Sequence, residues 1–201
     1  SSLCDHHLSY MNAGKTNTTD NLLLELCLAA KHEGDSLKHY SEKLNVTYTD
    51  SPSQLCTELA RSFADIGDIV RGRDLYLGNK GEKKKREDLE NKLKKIFGNI
   101  YNDVTSSGRT NGKTNGEAAK ERYKDTTNYY KLREDWWYAN RGTVWKAITC
   151  GAGGSHYFRH SCGDEKGPSR TNDKCRCRSQ NFTEETDQVP TYFDYVPQYL
   201  R

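Results

Sequence analysis

Seven cysteines, six histidines and two runs of cations carry most of the reactive chemistry in this 201-residue chain. Cys150, Cys162, Cys175 and Cys177 crowd a glycine- and arginine-rich stretch, with His156 and His160 among them. These histidines and the last three cysteines can be drawn as a zinc site. However, a single residue separates Cys175 from Cys177, less than in common zinc knuckles, and several ligand sets fit equally well. Disulfides are the better use of the sulfurs, because cytosolic chains seldom cluster cysteines in this way. Cys4, Cys27 and Cys56 bring the total to an odd number, so one sulfur pairs outside the chain or stays a thiol. A Cys–His nucleophile needs an activated thiol and an orienting group, and nothing in the pattern singles one out.

Other motifs are weaker. Gly14-Lys15-Thr16 lacks the earlier glycine of a phosphate-binding loop, since Ser9 occupies that position, and no buried strand precedes it. Gly151, Gly153 and Gly154 miss the dinucleotide pattern because His156 stands where its last glycine belongs. The carboxylate pairs Glu184–Glu185 and Asp65/Asp68 read as solvated, the first in a polar loop and the second on the outer side of a helix. No catalytic constellation emerges, and the expectation is a non-enzyme without metal or cofactor.

The cations are more informative. Net charge is only +3, too small to demand a nucleic-acid or membrane partner. Locally, Lys83, Lys84, Lys85 and Arg86 open a helix, an unfavourable place for positive charge given the helix dipole. Arg170, Lys174, Arg176 and Arg178 form a second cluster among the cysteines. Exposed clusters of this kind bind sulfated glycans and other polyanions, and a constrained loop loses less entropy in doing so. Solvation is the plain alternative, and it has at least equal claim on the first cluster. Asn17-Thr18-Thr19, Asn45-Val46-Thr47 and Asn181-Phe182-Thr183 match the glycosylation acceptor and suit an extracellular chain.

The elements that must position these groups are helices. Residues 51–70 organise the rest: Ser51 as N-cap, Pro52 at the first turn and Gln54 in a capping box precede Leu55, Leu59, Phe63, Ile66 and Val70 on one face. Gly67 is expected to interrupt this helix and Gly72 to end it. An earlier apolar helix is capped at Thr19 or Asp20 and stops at Gly34, and a short helix over residues 36–44 follows. Leu89, Leu93, Ile96, Phe97 and Ile100 form a narrow seam in a charged helix. Residues 105–116 are a solvated loop. Residues 117–149 read as one long helix or two, with Tyr123, Tyr130, Trp137, Val144 and Ile148 inward and Gly142 a kink. No convincing strand pair is visible. Hydrophobic residues make up only 33% of the chain against 29% charged, a thin core that calls for covalent support. The fold class is therefore all-α, a disulfide-supported helical bundle with long loops. Residues 1–50 form an N-terminal region of loop and first helices, and residues 51–201 a central helical subdomain incomplete at its C-terminus. The start at Ser1 and the end at Arg201 read as those of a piece of something larger.

Several blocks together resemble a known family. LARSFADIGDIVRGRDLYLG (59–78), REDWWYANRGTVWKAITCGA (133–152) and DYVPQYLR (194–201) look like signature blocks of the Duffy-binding-like α domain of Plasmodium falciparum erythrocyte membrane protein 1. LCDHHLSYM (3–11) and LLLELCLAAKHEGDSLKHY (22–40) resemble that family's earlier blocks. The resemblance implies a helical, disulfide-bonded adhesion domain of a variant surface antigen, displayed on the extracellular face of the infected red-cell membrane and anchored outside this chain. It implies host receptors on erythrocytes or endothelium as partners: heparan-sulfate-like glycans, blood-group carbohydrate or complement receptor. Cytoadherence or rosetting would follow, and antibodies would also bind. The alternative is an antigenic or structural fragment with no autonomous receptor binding. The signature blocks look structural and lend no contact residue, so Lys83–Arg86 and the Arg170–Arg178 cluster rest on charge alone. Proximity in sequence pairs Cys4 with Cys27 and Cys150 with Cys162, and leaves Cys56 to reach outside the segment.

Overall fold

The computed structural model describes residues 19–45, 54–74, 79–106, 116–164, 167–179 and 184–201. Five α-helices dominate the described residues: α1 (Thr19–Asn45), α2 (Gln54–Arg71), α3 (Lys80–Thr105), α4 (Gly116–Arg122) and α5 (Tyr130–Ile148). The all-α expectation holds. It is qualified by one antiparallel pair of three-residue strands, β1 (Cys162–Asp164) and β2 (Gly167–Ser169), in which Cys162 faces Ser169. These strands are too short to show an alternating pattern in sequence. The C-terminus adds two 3₁₀ turns, Phe193–Tyr195 and Gln198–Leu200. Cys4, Asn17, Thr18, Val46, Thr47, Ser51, Pro52, the triplet at Asn181 and most of the 105–116 loop lie outside the described residues.

The chain divides into two compact units. The first takes its described residues from 24–67 and 140–201. Leu55, Leu59, Phe63 and Ala64 of α2 are buried in it, as are Val144, Trp145, Ala147 and Ile148 of α5. Phe63 meets Trp145 edge to face with ring centroids 5.2 Å apart, the arrangement favoured by the aromatic quadrupole. Helix α1 does not stop at Gly34 but runs through it. A Cβ there would stand 2.0 Å from the Ile148 carbonyl oxygen, so this glycine serves close helix approach rather than termination. Gly67 is likewise buried within an unbroken α2, and Gly142 sits inside an unbroken α5.

The second unit takes its described residues from 19–23 and 68–139. Leu93, Phe97 and Ile100 of α3 are buried as the seam requires, while Leu89 at its start is exposed. Phe97 packs edge to face on Trp136 of α5 at 5.9 Å. Tyr130, expected inward, is 49% exposed, because it opens α5 before the buried stripe of Leu132, Arg133, Trp136 and Trp137 begins. Gly72 ends α2 as expected. With φ at 71°, it places the Gly72 N–H on the Ile69 carbonyl at 3.1 Å and the Arg73 N–H on the Asp68 carbonyl at 2.8 Å, a Schellman closure. The stretch 117–149 resolves into two helices. Between them Asp125 accepts backbone N–H bonds from Thr127, Asn128 and Tyr130, and Tyr129 turns the chain with φ of 58°.

Two arginines occupy this interior against expectation. Arg71 bonds Asp68 at 3.1 Å and approaches Glu134 at 3.5 Å. Asp68 is therefore a buried partner and not a solvated carboxylate. Arg133, fully buried, donates from Nε to the Val70 carbonyl at 2.6 Å and from Nη2 to the Ile69 carbonyl at 3.1 Å. The same guanidinium holds Glu90 through both Nη atoms, at 2.7 and 2.9 Å. It thereby occupies carbonyls that the end of α2 leaves without intrahelical partners.

Candidate functional site

In the first unit, residues 150–179 form a loop region held to the helical frame by one disulfide, by Trp145 and by Arg176. Cys175 is bonded to Cys56 of α2, and Cys162 to Cys177. Both results correct the expected pairings. Cys56 does not reach outside the chain, and Cys162 joins Cys177 rather than Cys150. The reason is a long-range contact that proximity in sequence could not reveal. The Trp145 indole N–H donates to the Cys175 carbonyl at 3.0 Å, and Cys175 itself turns the chain with φ of 58°. Cys162, Cys175 and Cys177 are thus consumed as disulfides and offer no thiolates to a metal, which removes the sulfur donors from the zinc alternative. Among the described residues no cluster of three or more His, Cys, Asp or Glu side chains has metal-binding geometry. Cys27 Sγ lies 4.0 Å from the Thr143 carbonyl.

The four cations of this loop divide. The Asn172 side chain accepts the backbone N–H groups of Lys174 and Arg176, both at 2.9 Å, and so fixes the bend that carries them. Arg176 then turns inward. Its Nε donates to Thr149 Oγ1 at 2.9 Å, Nη2 to the Lys146 carbonyl at 2.8 Å and Nη1 to Glu185 at 2.7 Å, leaving its side chain 12% exposed. Burial pushes the Glu185 carboxyl up, but the bond and charge of Arg176, the Asn172 amide and the Lys174 charge outweigh it and hold the group below its ordinary value. Arg176 is a strut. Arg170, Lys174 and Arg178 remain exposed. Arg178 sits in an isolated bridge with Glu185, and Lys174 in another with Ser155.

Exposed neighbours that charge counting missed extend this surface. Arg159 lies over the ring of Phe158 at 5.1 Å, and Phe158 is 51% exposed. His160 accepts from Arg170 Nε at 2.6 Å. The sequence carries them as an aromatic, a cation and a histidine in succession, of which only the histidine fits a metal-ligand pattern.

The other cluster belongs to the second unit. Asn79 caps α3 by accepting the Glu82 N–H at 3.0 Å, and Glu82 places one negative charge in the first turn ahead of the cations. Lys83, Lys84 and Lys85 are exposed. Arg86 is paired with Asp74 at 3.2 Å. Lys83 and Arg86 line a cavity of about 540 Å³ together with Leu89, Lys94 and Tyr130. Asp74, Glu87 and Glu90 share its wall, so the cavity presents charges of both signs. Lys84 and Lys85 are not among its lining residues.

The Duffy binding domain family matches the chain over residues 1–201. The chain belongs to this family. Two solved structures are similar to this Duffy binding domain. One is the crystal structure of the NTS-DBL1(alpha-1) domain of the Plasmodium falciparum membrane protein 1 (PfEMP1) from the varO strain, at 37% identity and a TM-score of 0.65. The match covers 98% of this chain and 39% of that one. The other is the N-terminal NTS-DBL1-alpha and CIDR-gamma double domain of PfEMP1 from the varO strain, at 36% identity and a TM-score of 0.67, covering 96% of this chain and 24% of that one. This Duffy binding domain chain therefore spans well under half the length of either. No curated protein matches it.

Proposed function

We propose that this Duffy binding domain is a host-cell receptor-binding adhesion module of a variant surface antigen, acting in infected-erythrocyte cytoadherence or rosetting without any catalytic step. The likeness to PfEMP1 domains supports an extracellular, surface-displayed setting. Among the described residues no helix is long and apolar enough to cross a membrane, and in this reading the anchor lies elsewhere. Host erythrocyte or endothelial receptors are the partners, with heparan-sulfate-like glycans, blood-group carbohydrate and complement receptor as the classes to test.

The observation that carries the reading is the loop of residues 150–179, where Arg170, Lys174 and Arg178 stay exposed on a segment tied to α2 by Cys56–Cys175 and closed on itself by Cys162–Cys177. Cations held by a rigid frame lose little freedom when a polyanion engages several of them, so binding energy is not spent on ordering the loop. The Lys83–Arg86 cluster is the secondary contact, reduced by the Arg86–Asp74 pair.

Retention on immobilised heparin in a salt gradient tests this. The triple variant Arg170→Ala, Lys174→Ala, Arg178→Ala should elute at distinctly lower salt, with an unchanged circular dichroism spectrum. Unaltered retention would remove the loop from the binding surface, and no retention of the parent chain would favour the antigenic alternative. Arg176 is excluded from the variant because its loss would disturb the loop itself.

A further inference from the structure

The cavity of about 540 Å³ is lined by the second unit alone, and every Asp and Glu of that unit lies among the described residues. Lys83, Glu87, Glu90 and Lys94 line it at i, i+4, i+7 and i+11 of α3, which places them along one face of the helix. At about 1.5 Å of rise per residue, Lys83 and Lys94 stand about 16 Å apart along the axis, with Glu87 about 6 Å from the first. Ile69 at the end of α2, Leu89 and the half-exposed Tyr130 ring add apolar surface. Gly72 backs that ring so closely that an added Cβ would stand 3.0 Å from its Cε1.

The charges divide by whether the chain already answers them. Asp74 accepts from Arg86 at 3.2 Å, and Glu90 accepts from both Nη atoms of Arg133 at 2.7 and 2.9 Å. The side chains of Lys83, Glu87 and Lys94 have no hydrogen bond or ion pair to a described residue, beyond the field that Lys94 exerts on Asp125. Along the helix the unanswered charges therefore run positive, negative, positive. A densely sulfated glycan laid across the two lysines would be repelled by Glu87 and Glu90 between them. A polypeptide can space its acids more widely and set a cation and an apolar side chain between them.

We propose that this cavity docks an extended acidic polypeptide segment of a receptor protein, carrying its charges in the order acid, base, acid. At about 3.3 Å per residue, two acids five residues apart span about 16 Å and meet Lys83 and Lys94. A base two residues after the first acid meets Glu87, and an aliphatic side chain beside it lies against Leu89 and Tyr130. The volume is that of a pocket for a small ligand, so the contact is a short segment and not a broad interface. Lys84 and Lys85, outside the cavity, remain the part of the basic run open to polyanions. That the segment belongs to a receptor rests on the adhesion reading, whereas the docking chemistry does not.

The probe is the peptide Gly-Asp-Ala-Lys-Leu-Ala-Asp-Gly, blocked at both ends and titrated into the isotope-labelled chain while amide shifts are followed. Amides of α3 and of Tyr130 should shift and saturate. The variant Lys83→Glu/Lys94→Glu should bind at least about ten-fold more weakly, as expected when two charge contacts are reversed. Lys84→Glu/Lys85→Glu makes the same charge change beside the cavity and should alter affinity less than about two-fold. The charge-exchanged peptide Gly-Lys-Ala-Asp-Leu-Ala-Lys-Gly should bind the triple variant Lys83→Glu/Glu87→Lys/Lys94→Glu and not the parent, a gain that a misfolded variant cannot give. No shifts in the parent, equal losses from the two lysine pairs, or no gain in the triple variant would overturn the proposal. Heparin retention that falls with Lys83→Glu/Lys94→Glu but not with Lys84→Glu/Lys85→Glu would put a glycan in the cavity and overturn it as well. Peptide binding by a chain that heparin does not retain would uphold the cavity and overturn the polyanion reading of residues 150–179.

Discussion

Replacing Arg133 by methionine is the sharpest test of how the second unit is held together. The side chain is fully buried, and its guanidinium makes bonds of 2.6 Å to Val70, 3.1 Å to Ile69, and 2.7 and 2.9 Å to Glu90. It also lies 5.6 Å from the Phe97 ring centre. Methionine keeps much of the apolar volume but leaves the Glu90 carboxylate and two carbonyls at the end of α2 without that donor. Water can reach the partly exposed Glu90, so the cost lies mainly in the two carbonyls left without their donor, about 3 kcal/mol in all. For a chain of this length that corresponds to a fall in Tm of roughly 10 °C, at about 2–4 °C per kcal/mol. The assay is thermal unfolding followed by circular dichroism, with Glu90→Gln and the double variant measured alongside. Because Glu90 is only partly buried, Glu90→Gln alone should cost less, and the cycle should return a coupling of about 1.5 kcal/mol or more. A Tm for Arg133→Met within about 1 °C of the parent, or a coupling near zero, would refute the claim that this guanidinium organises the end of α2.

The disulfides should contribute unequally. Cys56–Cys175 closes a separation of 119 residues and Cys162–Cys177 one of 15, so the chain-entropy relation assigns about 5 and about 3 kcal/mol. Urea midpoints of the Cys56→Ser/Cys175→Ser and Cys162→Ser/Cys177→Ser variants should follow that order. Asp135 governs part of the acid response of the α4–α5 connection. Burial pushes its carboxyl up, but bonds from Arg122, Tyr123 and Lys131 outweigh this and hold it below its ordinary value. A depressed folded-state value gives stabilisation that is complete above the unfolded-state value and is lost as pH falls toward the folded one, a window below about pH 4. Asp135→Asn should flatten the stability profile in that window while lowering stability at neutral pH.

How far the fold was legible in the sequence depended on whether the deciding contact was local. The stripe Leu55, Leu59, Phe63 and Val70, the seam Leu93, Phe97 and Ile100, and the stop at Gly72 all follow from spacing or backbone freedom within a few residues. The reading of Gly34 as a stop failed for the opposite reason. Its meaning is set by the Ile148 carbonyl far along the chain, and a glycine that ends a helix looks the same in sequence as one that lets another helix approach. The sulfurs repeat the lesson. Cys56 had no nearby partner because its partner is Cys175, delivered by the indole bond of Trp145. At the candidate site, cation density located the loop, but Arg176 turned inward because Thr149, Lys146 and Glu185 receive it, and none of these is near it in the heptad or strand sense.

The division of labour among arginines follows from the same thin supply of apolar residues. Arg141 shows it in the first unit. It donates to both carboxylate oxygens of Asp194 at 2.8 Å and to the Thr191 carbonyl at 2.8 Å, while lying 5.6 Å from the Phe63 ring and 5.3 Å from those of Tyr192 and Tyr195. A planar guanidinium can satisfy several acceptors in its plane and still present its faces to aromatic rings, which a lysine ammonium cannot do. Arg71, Arg133 and Arg141 therefore serve as core residues in a chain that has few aliphatic ones to spare. Charge alone cannot separate such arginines from those that meet a receptor. The separating property is whether acceptors within the chain already occupy the donors of the cationic group. By that measure Arg176 belongs with Arg133 and Arg141, while Lys174 and Arg178 belong to the exposed surface. Arg170 stays on that exposed surface too, with its Nε donating to His160 at 2.6 Å.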